Sequence, residues 1–286
     1  MNKKTIAIII ENFLYGGTTT HLINFINSKA CKNYSFKIIT NKNNEAIKNI
    51  KKSCSLNKIE IIQFNSFNAL QPSSYFSKSI FFLIKPVLFL LSIIQMIFIL
   101  KKIKSDTILL DCGGYGDFRS EMAGAIALKL LKRKNFYILI HHCYSKPKIW
   151  GGVINFVNKK ISTFFTMMFF VSKATKDSIK KNTSLINKSS KYKIIYNGVP
   201  VRSFKIKKVK KLKVKQGVYK IGMLSRIEEY KGHLDLIYSF TKLSTKEKNK
   251  FKVFFIGNGD PIFLRKVNDI IRDNNLKKYF QIINYI

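Results

Sequence analysis

Short apolar runs alternate with amphipathic stretches along the first two-thirds of the chain. TIAIII (5–10) is continuous, apolar and β-rich, the pattern of a strand covered on both faces. The loop ENFLYGGTTT follows, and HLINFINSKA then shows helical spacing, with a helix starting near Thr20. FKIIT (36–40) and IEIIQF (59–64) predict two more strands. Beyond position 105 the rhythm continues with DTILLD (106–111), the helical EMAGAIALKLLKRK, NFYILI (135–140) and FFTMMFFV (164–171). SKATKDSIKK is a helix with Ser172 as its N-cap, and KYKIIYNGVP (191–200) is a strand closed by Asn-Gly and proline. Strands alternating with helices predict an α/β fold with a parallel, doubly wound sheet.

One stretch breaks the pattern. Residues 80–100, IFFLIKPVLFLLSIIQMIFIL, contain 17 apolar residues in 21. Lys85 and Pro86 interrupt the run and leave 14 residues before KKIK. Three readings stand open: a membrane-spanning helix, a core helix, or a helix lying on a membrane. The basic KKIK end suits a negatively charged leaflet. The immediate return of the sheet pattern argues against spanning.

After Val201 the composition shifts. RSFKIKKVKKLKVKQG (202–217) is basic, carries no acid and reads as a linker between domains. A second α/β pattern begins at 218: YKIGML, helix HLDLIYSFTKL, strand KVFFIG, helix PIFLRKVNDIIRDNN and a strand-like FQIINYI. The expected organisation is two Rossmann-like domains, 1–201 and 218–286. The second is short for a domain of roughly 100–150 residues and reads as incomplete.

Charge narrows the partners. The 286 residues carry a formal net charge of +37, from 46 Lys and 6 Arg against 15 acids. Nucleic-acid recognition favours Arg forks, and lysines spread along the whole chain argue against it. An anionic membrane surface fits the sign. Cys31, Cys54, Cys112 and Cys143 include no CxxC pair, so neither zinc nor a redox dithiol is indicated, and reduced thiols are expected. KKTIAIII is too short to be a signal sequence and is ended by Glu11.

Candidate chemistry sits at strand exits. Gly16 and Gly17 lie between the first strand and the first helix, where backbone N–H groups can hold a phosphate. The dinucleotide pattern G-x-G-x-x-G is absent, and a simple turn is the alternative. Arg226 and Lys231 lie between strand and helix in LSRIEEYKGHLDL, with Gly232 allowing a tight helix start. Arg offers a planar fork to phosphate oxygens and Lys a mobile charge. FIGNGDP repeats the strand-to-glycine exit one unit later. His141 and His142 end another strand; neighbours in a strand face opposite ways, so only one is expected to serve. Glu11, Asp111 and Asp117 rank below them as polar candidates.

Five stretches together resemble the retaining GT-B glycosyltransferases of family four (glycosyl transferases group 1). They are the first strand with GGTTTHL, then FVSKATKDSIKK, IIYNGVP, IGMLSRIEEYKGHLDLIYSF and FFIGNGDPIFLRKV. The resemblance implies a nucleotide-sugar donor as substrate, no further cofactor and no bound metal. It implies that Arg226 and Lys231 bind the donor diphosphate and that Gly16 and Gly17 let a phosphate approach the first helix. By the same resemblance His141 or His142 faces the sugar, and Gly257 and Gly259 line the nucleotide. The implied acceptor is a surface polysaccharide, such as lipopolysaccharide or capsule, or a lipid-linked glycan, at the cytoplasmic face of the membrane. One departure is large: the family's acidic E-x7-E segment has no counterpart, and the chain is expected to be C-terminally truncated. A non-catalytic fragment, or half of a split enzyme, is therefore the alternative expectation.

Overall fold

A computed structural model of the protein describes residues 4–13, 15–54, 59–67, 75–113, 118–144, 150–186, 190–198 and 217–284. The chain forms two compact units, Met1–Arg202 and Ser203–Ile286. All but Gly217 of the basic 202–217 segment, and Asp117, lie outside the described residues.

The first unit holds a parallel seven-stranded sheet. Its strands are β1 (Lys4–Ile10), β2 (Tyr34–Asn41), β3 (Ile59–Phe64), β4 (Thr107–Cys112), β5 (Phe136–Ile140), β6 (Met167–Phe170) and β7 (Tyr192–Ile194). Their order is β3-β2-β1-β4-β5-β6-β7. Ile6 of β1 pairs with Phe36 on one side and Thr107 on the other.

The two-residue period of β1 explains the layers. Ile8 and Ile10 pack with Leu22, Ile23 and Ile26 of helix α1 (Gly17–Ile26) and with Ile50 of α2 (Ile47–Ser53). Ala7 and Ile9 join the opposite cluster, with α3 (Tyr75–Lys101), α4 (Ser120–Leu130), α5 (Gly151–Ile161) and α6 (Lys173–Asn182). A strand buried on both faces must be apolar at every position, which is why TIAIII shows no alternation. In α4, Ala123, Gly124, Ala125 and Ala127 are small and buried. A Cβ at Gly124 would lie 3.0 Å from Cδ1 of Ile9, so the small residue lets helix and sheet approach.

Several expectations are corrected. Helix α1 begins at Gly17, not near Thr20, because Gly16 is its N-cap. Helix α3 runs unbroken through Pro86. Proline removes one N–H from the ladder, and the helix is anchored after it, where Phe89, Ile93, Met96 and Leu100 join the core. Strand β7 has only three residues. The Ser172 cap is present: its Oγ accepts the Thr175 N–H at 3.1 Å.

The second unit has three parallel strands, β8 (Tyr219–Leu224), β9 (Phe251–Ile256) and β10 (Phe280–Ile283), in the order β10-β9-β8. Helices α7 (His233–Thr241), α8 (Thr245–Lys248) and α9 (Pro261–Asp273) accompany them. Asp260 caps α9 through Phe263 N–H, and Pro261 occupies its first turn. Ile237, Phe240, Val253, Phe255, Val267 and Ile271 form the core.

Candidate functional site

In the first unit the chemistry gathers where strand order reverses. From β1 the chain winds to β2 and β3 on one side; β4 to β7 lie on the other. Open α/β sheets bind ligands at the carboxyl ends of strands at this switch point. Asp111 is near the end of β4, His141 directly follows β5, and His21 sits on α1. His141 Nε2 and Asp111 Oδ1 are 2.6 Å apart, with both side chains at most 5% exposed. The rings of His21 and His141 meet edge to face at 4.9 Å between centroids. A carboxylate only accepts, so Nε2 carries the hydrogen of this bond. Asp111 thereby fixes the tautomer and tilt of His141.

The donor atoms of His21, Asp111 and His141 lie within 4.8 Å of one another, a set that could also hold a divalent ion. His142 is exposed and is not part of this set. Burial holds the His21 imidazole below its usual 6.5; the Asp111 charge opposes that and His141 adds to it. His21 is therefore neutral when folded at neutral pH, while in the unfolded chain it takes a proton as pH drops through 6.5. Its contribution to stability is complete above 6.5 and lost as pH falls toward the depressed folded value. Trp150, the single tryptophan, reports on this unit alone. Its fluorescence melting temperature is expected to drop between pH 7.5 and 5.5, about neutral and below the His range, by less in His21→Gln than in wild type. Equal drops would remove His21 as a cause.

Glu11 follows β1 and serves α4. Its carboxylate accepts the Ser120 N–H at 3.1 Å, the Ser120 hydroxyl at 3.0 Å and the Ser66 hydroxyl. A carboxylate at a helix N-terminus is favoured by the dipole. Glu121 accepts the Glu11 N–H and pairs with Arg119, whose Nη2 donates to the Glu11 carbonyl. The fully buried Glu121 carboxyl is pushed up by burial, and the Arg119 charge pulls it back. Of the polar candidates, Asp111 joins the histidine and Glu11 joins this scaffold.

Gly16 adopts an extended backbone (φ −164°, ψ −166°), and no side chain caps α1. Neither Gly16 nor Gly17 has an atom within 4 Å of where a Cβ would stand. Packing does not demand these glycines, and their backbone is open to approach.

The second unit carries its own group of candidate residues. Arg226 follows β8, and Lys231 ends a single 3-10 turn (Glu229–Lys231) before α7. Gly232 between turn and helix has φ +84°, the left-handed region that glycine takes without cost. Arg226 Nη2 is 3.4 Å from the Tyr230 hydroxyl, and Lys231 Nζ lies 4.6 Å from the centre of the same ring. Tyr230 is 70% exposed, so Lys231 lies over an open aromatic face while Arg226 reaches the hydroxyl of the same ring. Arg226 is not idle: its Nη1 pairs with Glu228 Oε1 at 2.9 Å. An anionic ligand reaching Arg226 Nη1 competes with Glu228.

Gly257 and Gly259 are held by the neighbouring loop. Ser225 N–H donates to Ile256 O and Ile227 N–H to Asn258 O, at 3.1 and 2.9 Å, so the two strand exits zip together. A Cβ on Gly257 would stand 1.9 Å from Ser225 O, and one on Gly259 2.3 Å from Ile227 O. Close backbone approach requires glycine at both positions.

The two strand-exit sites stand on scaffolds already known from solved proteins. A glycosyltransferase from Rickettsia africae ESF-5 aligns over 100% of this chain and 69% of its own at TM-score 0.62 and 19% identity. The lipopolysaccharide outer core galactosyltransferase WaaB aligns over 99% and 68% at 0.58 and 14%. The fold is that of the GT-B glycosyltransferases. The GT-B fold also carries other chemistry: UDP-N-acetylglucosamine 2-epimerase from Rickettsia bellii aligns over 98% and 68% at 0.54 and 14%. No protein-family model and no curated protein matches the chain.

Proposed function

We propose that this protein transfers a sugar from a nucleotide-sugar donor to a glycan or lipid-linked acceptor. The observation that carries the reading is the convergence of Arg226 and Lys231 on Tyr230 at a strand exit of a GT-B fold. When the bond between sugar carbon and diphosphate oxygen breaks, negative charge grows on the departing nucleotide. Two cations fixed beside that oxygen favour the transition state over the ground state. Gly16 and Gly17 leave the start of α1 open to a phosphate, and the loop containing Gly257 and Gly259 lines the nucleotide. His141, oriented by Asp111, accepts a hydrogen bond from a sugar hydroxyl through Nδ1. The transfer is retaining, with the surface-polysaccharide or lipid-linked acceptor meeting the donor at the cytoplasmic side of the membrane.

The test incubates the protein with labelled UDP- or GDP-sugars and membrane lipid extract. Transfer of label to lipid or glycan supports the reading. An isomerised sugar with no acceptor product would instead assign epimerase chemistry, and an unchanged donor would refute both. Arg226→Ala is expected to weaken nucleoside-diphosphate binding roughly 10- to 100-fold, the worth of a charge-assisted hydrogen bond. Glu228→Gln is expected to tighten it, since Arg226 no longer has a competing carboxylate. Calorimetry giving equal affinities for wild type and both variants would rule out the phosphate role.

The reading is metal-independent, because Arg226 and Lys231 supply the positive charge the diphosphate needs. Turnover is expected to survive dialysis against EDTA. Activity lost to EDTA and restored by a divalent ion would move the chemistry to His21, Asp111 and His141.

A further inference from the structure

Helix α3 has two apolar faces and only one of them is covered. Phe89, Ile93, Met96 and Leu100 are at most 9% exposed and belong to the core shared with β4 and α4. On the other side Leu83, Val87, Leu90, Leu91, Ile94 and Phe98 are 44–68% exposed. Their spacing of three and four residues makes a continuous stripe. At about 1.5 Å per residue it runs roughly 22 Å along the surface. A soluble surface helix would be polar there.

By length and composition Leu83–Lys101 could cross a bilayer. Its packing opposes that. A spanning helix meets lipid or other spanning segments around its girth, whereas this one buries a face against the parallel sheet. Its C-terminal end is tied down as well, with Arg133 Nη2 donating to Leu100 O at 3.0 Å.

The surroundings of the stripe are cationic. Leu91, Ile94 and Phe98 line one groove with Lys42; Phe98 lines another with Lys37 and Lys102. Lys101 ends the helix, Lys102 and Lys104 follow it, and all three are exposed. Glu60, the acid in these grooves, is paired with Lys37 at 2.9 Å. A second copy of a chain with net charge +37 would be repelled from this face, while an anionic surface is attracted. Long lysine stems lie along apolar surface and keep their heads in the headgroup layer.

We propose that the Leu83–Phe98 stripe of α3 lies in the interface of an anionic lipid bilayer, parallel to its plane, with the flanking lysines on lipid headgroups. This does not rest on the transfer reading, and the test needs no turnover. The full chain is mixed with vesicles of phosphatidylcholine alone or with about one-third phosphatidylglycerol, and sedimented. Binding to the anionic vesicles is expected, and Leu90→Glu with Ile94→Glu is expected to weaken it at least about tenfold, with circular dichroism unchanged because both side chains point outward. In a Trp150→Phe background, Phe98→Trp is expected to shift to the blue on binding and to be quenched by brominated acyl chains. Equal binding by the double variant would overturn the proposal. So would binding without quenching that vanishes at about 0.5 M salt, which would mean lysines alone. Bound protein that resists alkaline carbonate would mean a spanning helix. Sedimentation velocity showing a dimer that Ile94→Glu dissociates, without vesicle binding, would assign the stripe to a second copy.

Discussion

Gly257→Ala is expected to unfold the second unit at markedly lower denaturant concentration and leave the first untouched. The methyl carbon would stand 1.9 Å from Ser225 O and 2.9 Å from the Ser225 carbonyl carbon, backbone atoms rather than a yielding side-chain tip. Relief requires parting the two loops, which sacrifices the Ser225–Ile256 and Ile227–Asn258 hydrogen bonds. The cost should be about 3–5 kcal/mol, in the range of the most damaging single substitutions. Urea unfolding followed in two ways makes the prediction sharp. Trp150 fluorescence reads the first unit, and far-ultraviolet circular dichroism reads both. The dichroism transition should split, its early part belonging to the second unit, while the fluorescence midpoint stays in place. Coincident, unshifted transitions would show that the loops part at little cost.

The second large effect is chemical. Asp111→Ala should reduce transfer about 100-fold or more, in line with the usual contribution of a positioned imidazole. Without Asp111 the tautomer of His141 is no longer set, and the ring loses one of its holds while keeping the edge contact with His21. His141→Ala should cost about the same, and the double variant little more than either alone, because two groups acting as one unit are not additive. Nucleoside-diphosphate affinity should be unchanged in all three, since Arg226 and Lys231 hold that group. Additive losses, or a parallel loss of nucleotide affinity, would show that the pair does not act on the sugar.

The strands were legible because a parallel sheet buried on both faces has to write itself as continuous apolar runs. Helix α3 was legible as a hydrophobic segment, and whether one or both of its faces are covered is a matter of packing. Helix α5 escaped attention: it starts with Gly151-Gly152 behind Trp150, a left-handed residue whose side chain provides no cap, and it shows no start signal. The Asp111–His141–His21 cluster was half visible. His141 stood out at a strand exit, but its partners lie 30 and 120 positions away and depend on β1, β4 and β5 being neighbours. Alternating patterns carry no strand order. His21 left only one trace, a histidine within the first helix after the glycine pair. Gly257 and Gly259 were read toward a ligand, whereas the nearest demand on them comes from Ser225 and Ile227. Arg226 was legible as a cation; its pairing with Glu228, two residues on in RIEE, needed coordinates.

The position of β1 also sets a timetable for synthesis. One edge of β1 closes soon, on β2, but its other edge pairs with β4, and the contact between Thr5 N–H and Asp106 Oδ2 spans 101 residues. At about 5–20 residues per second, that edge waits roughly 5–20 s after β1 leaves the ribosome. During the wait α3 emerges with both of its apolar faces open, before β4 and α4, which share its core, exist. The nascent chain is then at its most adhesive, and a chaperone or a nearby bilayer that received α3 at that stage would act before the first unit could close.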